Sequence, residues 1–138
     1  MSRTAKWFAL MAVGICLLGT IVAAAGVDFL GTWENVNPKT RGLTKLVISQ
    51  SGKDFYVEGF GSCTPTDCVW GKVDLHMMGY SVSDTDYEWG FAVWDPGFKM
   101  TYLSIHLEGD VLVAVLYDIF APGDGRENYR SIALLRRP

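Results

Sequence analysis

The chain has 138 residues, with 12 Lys plus Arg against 15 Asp plus Glu, and a formal net charge of −3. That balance provides no basic stripe to neutralise phosphates, so it excludes a nucleic-acid binder. Its length suits one domain, and no second domain fits.

The chain opens like a targeting segment. Residues 1–6 carry Arg3 and Lys6 without an acid, residues 7–22 are almost wholly apolar, and Ala23-Ala24-Ala25 supplies small residues for a peptidase. A signal peptide over residues 1–25 is expected, as an N-terminal signal helix, with the β-barrel domain over 26–138. Two other readings would tether the chain. Cys16 would mark a lipoprotein, but Ile15 stands where a small residue is needed. An uncleaved signal anchor is the other, since the apolar run approaches the roughly 20 residues that span a bilayer. Secretion or a periplasmic location follows from cleavage, and membrane contact only from an uncleaved leader.

Beyond the leader no helical pattern of useful length occurs, and turn residues recur at nearly regular intervals. Strands are expected over residues 30–36, 43–50, 55–60, 68–77, 87–94, 99–108, 111–120 and 129–135. Between them lie Asn37-Pro38, Ser51-Gly52, Asp95-Pro96-Gly97, Gly109-Asp110 and Pro122-Gly123-Asp124-Gly125, each a turn signal with a backbone reason. Eight short strands joined by short loops describe an all-β, antiparallel up-and-down meander, and closure into a single eight-stranded barrel removes both exposed edges.

Cys63 and Cys68 remain once Cys16 leaves with the leader. An even pair in an exported chain predicts a Cys63–Cys68 disulfide around Thr64-Pro65-Thr66-Asp67. A zinc site would need clustered histidines, and a thioredoxin-type site a two-residue spacer.

The box Phe29-Leu30-Gly31-Thr32-Trp33-Glu34-Asn35 fronts the first strand. Its Gly31-x-Trp33 resembles the Gly-x-Trp signature of lipocalins and the wider calycin group, and Gly31-Thr32-Trp33 with Asn35 is similar to the first strand of the avidins. The avidin tryptophans that face biotin are not matched, so biotin is not carried over. The lipocalin resemblance implies that Trp33 plugs one barrel end and that an Arg at or near the last strand packs across it. Arg130 and Arg136 are the candidates, with Arg130 preferred.

Strand alternation assigns faces. Taking Glu58 as outward puts Phe55 and Val57 inside; taking Lys72 and Asp74 as outward puts Val69, Val73 and Leu75 inside. Glu88 as an outward residue places Trp89, Phe91 and Val93 inside, and His106 and Glu108 do the same for Leu103, Ile105 and Leu107. The outer face then carries Tyr56, Phe60, Trp70, Met100, Tyr102 and His106. Residues 111–117, which include Val111, Val113 and Val115, are apolar on both faces. A strand with one face in water should alternate, so a helix, a second subunit or lipid is expected to cover this one, with Asp110 and Asp118 as flanking charges. A homo-oligomer is the economical choice, and the apolar interior disfavours a transmembrane barrel.

Chemistry-bearing clusters are scarce. His76 and His106 stand alone, residues 84–88 alternate carboxylates without the glycine turn of a calcium loop, and no nucleophile elbow marks a serine. No catalytic residue, metal or cofactor is expected. The inward residues make a strongly apolar lumen, read either as a simple packed core or as a pocket. The function expected is an exported, non-enzymatic, lipocalin-like barrel that binds a small apolar or aromatic ligand in that lumen through Trp33, Phe55, Val57, Trp89, Phe91 and Leu103. A filled lumen would overturn that placement. The alternative is an extracellular interaction module that forms a homo-oligomer or filament, or binds glycan, through Tyr56, Trp70, Tyr102, Val111, Val113 and Val115. An enzyme on a calycin-like barrel ranks last.

Overall fold

A computed structural model describes residues 26–138. The expected leader lies outside the described residues. A single 3-10 turn (Val27–Phe29) leads into eight strands: β1 (Gly31–Asn35), β2 (Leu43–Ser51), β3 (Asp54–Gly61), β4 (Cys68–Met78), β5 (Trp89–Trp94), β6 (Lys99–Glu108), β7 (Val111–Phe120) and β8 (Tyr129–Arg136). Each strand pairs with the next, all antiparallel, and β8 returns to β1, so the sheet closes in strand order. This is an up-and-down barrel compatible with a calycin-like fold.

Local sequence explains the hairpins. Gly52 and Gly109 take positive φ, 60° and 61°, at the first centre of the two-residue links after β2 and β6. That conformation lets a tight turn follow the twist of the sheet, and glycine adopts it without the Cβ strain most residues would meet. Cys63 and Cys68 form the expected disulfide, with their Cα atoms 5.4 Å apart. Thr44 ties the bridged loop to β2 by donating its hydroxyl to Asp67 Oδ2 at 2.7 Å. The bridge is a covalent sign of an oxidising compartment.

Alternation fills the barrel with Leu46 and Ile48 from β2, Val57 from β3, Leu75 from β4, Leu103 and Ile105 from β6, Leu112, Ala114 and Leu116 from β7, and Leu135 from β8. On β5 the buried side is Gly90, Ala92 and Trp94. Trp89, Phe91 and Val93 therefore face outward, contrary to the expectation. Glu88 misled because it lies in the link before β5, where no alternation operates. Space decides the matter: a Cβ on Gly90 would stand 2.9 Å from both Leu75 and Ile105, so the lumen wall at this position has no room for a side chain.

Three further residues differ from expectation. The β3–β4 register shifts after Gly59↔Gly71, and Val69, expected inside, is 61 % exposed. The same irregularity turns Trp70 inward across Gly59 and Gly61, where an added Cβ would meet its ring at 2.8 and 2.6 Å. Asp118, expected as a flanking surface charge, is buried on the inner face of β7.

One barrel end is closed by the Gly-x-Trp box. Trp33 is buried, and its indole N–H donates to the Phe29 carbonyl at 2.9 Å. The arginine that crosses it is Arg137, whose guanidinium carbon lies 4.2 Å from the centre of the Trp33 ring. Arg137 also donates to the carbonyls of Leu30 at 2.6 Å and Asp28 at 2.7 Å. Arg130 does not serve: it points outward toward the other barrel end and donates to the Tyr117 hydroxyl at 3.3 Å. Gly31 belongs to the same device, because its φ is 114° and a Cβ there would come within 2.7 Å of the Arg137 guanidinium.

Candidate functional site

The lumen is packed. Leu46, Val57, Ala92, Leu103, Ile105, Leu112, Ala114 and Leu135 have no accessible surface, so no void large enough for water touches them. Of the lumen residues expected to bind a ligand, Trp33, Val57 and Leu103 are buried core, and Phe55 packs edge-on against Tyr87 at the Trp33 end. Trp89 and Phe91 stand on the outer wall beside Tyr80 and Tyr102.

The concave site lies in the barrel wall at the opposite end. β4 and β5 pair at only three positions, His76↔Phe91, Met77↔Gly90 and Met78↔Trp89, and beyond them the strands part. Trp94 bridges the parting, its indole N–H donating to the Gly71 carbonyl at 2.9 Å. A cleft of about 470 Å³ opens there, lined by residues 68–73 of β4, by Trp94, Asp95 and Pro96, and by Phe98, Lys99 and Thr101. Trp70 and Trp94 meet edge to face within it, with ring centres 5.5 Å apart. Trp70 was expected in an outer-face interface and instead forms this wall, whereas Tyr56 and Tyr102, on the outer side of β3 and β6, do not reach it.

Polar chemistry enters the cleft through β6 and β7. Lys99 and Thr101 share the inward side with Leu103 and Ile105, and Thr101 lies directly opposite Asp118. Lys99 Nζ is 2.7 Å from Asp118 Oδ1, with 20 % and 5 % of the two side chains exposed. The Thr101 hydroxyl donates to the same carboxylate at 2.6 Å. Tyr129 is half-exposed, and partial desolvation of its phenol, reinforced by the nearby Asp118 carboxylate, raises it above its ordinary value of 10.0. Around the ammonium stand Trp70, Phe98 and Phe120, with ring centres 6.0, 5.9 and 5.9 Å away.

Arg126 continues this cluster outward. Its guanidinium lies 4.4 Å from the centre of Phe120 and pairs with Asp124, whose carboxyl it holds below the ordinary 3.8. The alternation used for Leu103 and Ile105 extends to Thr101 and Lys99, and that of β7 extends to Asp118. Opposite charges on the inner side at one end of adjacent strands were therefore a usable signal in the sequence.

A second concavity of about 460 Å³ lies at the Trp33 end, among Lys53, Asp54, Phe55, Tyr56, Asp74, His76 and Tyr87. Among the described residues, no three His, Cys, Asp or Glu side chains converge as a metal site. The outer wall carries an apolar strip on β7 and β8: Val113 pairs with Leu134 and Val115 with Ile132. Val113 is only 7 % exposed, flanked by its neighbours, whereas Ile132 and Leu134 are 55 % and 45 % exposed. Val111 lies on the same side, and among the described residues no helix covers the strip.

No family model matches the chain, and no curated protein or solved structure matches it.

Proposed function

We propose that this protein is an exported, non-enzymatic, lipocalin-like barrel that binds a small apolar or aromatic molecule in the cleft between β4 and β5. The observation that carries the reading is the parting of the wall beyond His76 and Phe91, with aromatic side chains on both lips. Its volume falls within the range of small-molecule sites, and its walls combine apolar surface with a few polar groups, as such sites do. The Trp33–Arg137 closure supports the lipocalin-like assignment, and the disulfide supports export.

The neutral fluorophore N-phenyl-1-naphthylamine tests the site. The reading expects saturable binding to the wild type and its loss in Val73→Trp, which fills the cleft, with the far-UV circular dichroism unchanged. Binding that survives Val73→Trp but disappears in Ile132→Lys would move the site to the outer wall.

The exposure of Leu134 and Ile132 beside Val113 and Val115 favours one further reading, a homo-oligomer seamed on the outer side of β7 and β8. Sedimentation equilibrium would then return a multimer for the wild type and a monomer for Leu134→Lys.

A further inference from the structure

We infer that Lys99 is the anchoring residue of the cleft, and that the ligand class is an apolar aromatic molecule carrying a carboxylate. This rests on the cleft being the binding site. A lysine ammonium has three N–H donors and no acceptor. Asp118 takes one of them at 2.7 Å, and the ammonium otherwise faces aromatic rings on the lining of the cleft. Rings satisfy the charge in part and leave the hydrogen-bonding capacity unused.

The choice of a carboxylate follows from the distribution of charge. Lys99 lines the cleft with its ammonium among the rings there, and Asp95 is the one acid on the lining. Lys72, also on the lining, turns its ammonium over the Tyr56 ring on the outer side, 5.1 Å from its centre. Asp118 lies beneath Lys99 and is already engaged by Thr101 as well. An incoming carboxylate therefore meets the ammonium first, in surroundings where charge-assisted hydrogen bonds gain strength from poor solvation. The aromatic part of the ligand would lie between Trp70 and Phe98, both on the lining.

Equilibrium dialysis with 2-naphthoate and 2-methylnaphthalene, which share a ring system and differ in the carboxylate, tests the inference. The wild type should bind the naphthoate about tenfold more tightly, the scale of one charge-assisted hydrogen bond. Lys99→Met would strand the Asp118 carboxylate, so the informative variant is the double substitution Lys99→Met with Asp118→Asn, its fold checked by circular dichroism. It should still bind 2-methylnaphthalene while losing the preference for the naphthoate, and Lys72→Met should keep that preference. Equal binding of both compounds by the wild type overturns the anchor and leaves the cleft as a site. A preference that survives the double variant but vanishes in Lys72→Met also overturns it. Binding of neither compound overturns both the anchor and the cleft.

Discussion

Arg137 lies with its guanidinium carbon 4.2 Å from the centre of the Trp33 ring, joining the last residues of the chain to the first strand across a barrel end. The same side chain donates to the carbonyls of Asp28 and Leu30, so it fixes the 3-10 turn as well as the indole. Arg137 is exposed, yet Arg137→Ala should cost about 1–2 kcal/mol, from loss of the cation–π contact and two charged hydrogen bonds together. Arg130→Ala should change stability by less than about 0.5 kcal/mol, as exposed positions do. Urea unfolding of the two variants measures the difference.

Trp70 occupies space that Gly59 and Gly61 leave empty. Gly61→Val should expel the indole, redden tryptophan emission and cost about 1–3 kcal/mol by overpacking. Unchanged emission would mean that Trp70 is not held over these glycines.

The Lys99–Asp118 pair sits where one partner cannot be removed without stranding the other. Asp118→Ala should destabilise by about 2–4 kcal/mol, toward the low end because Lys99 retains some solvent. The double variant with Lys99→Met should recover part of that loss. A double-mutant cycle from chemical denaturation should give a coupling of about 1–3 kcal/mol.

Partial desolvation and the Asp118 carboxylate keep the Tyr129 phenol protonated in the folded chain beyond its ordinary 10.0. The unfolded chain ionises first as pH rises, so it binds fewer protons than the native state and stability falls. The contribution is fully present below pH 10.0 and is lost as pH climbs through the raised native value. Tyr129→Phe should show a shallower alkaline loss of stability than the wild type in denaturation curves taken on both sides of that pH.

The Cys63–Cys68 bridge closes a short exposed ring. The substitution of both cysteines by serine should cost about 2 kcal/mol on the chain-entropy scale and leave the far-UV circular dichroism of the barrel intact. Loss of the barrel signal would give the bridge a larger role than shaping its loop.

Strand number, strand order and the disulfide were legible in the amino-acid sequence, and two of the expected strands, 99–108 and 111–120, coincide with β6 and β7. Period-two alternation and turn residues act over a few neighbours, and a cysteine pair five residues apart closes locally, so these features need no knowledge of the remaining chain. Tertiary structure alone decided the rest. Gly90 and Ala92, not Trp89 and Phe91, line the lumen because Leu75, Leu103 and Ile105 already fill it. Arg137 rather than Arg130 reaches Trp33 because closure of β8 on β1 determines which end each arginine occupies. The wall cleft arises where β4 and β5 cease to pair, and Lys99 meets Asp118 there through the β6–β7 register. Each of these outcomes depends on space and pairing among segments far apart in the chain, which no local pattern records.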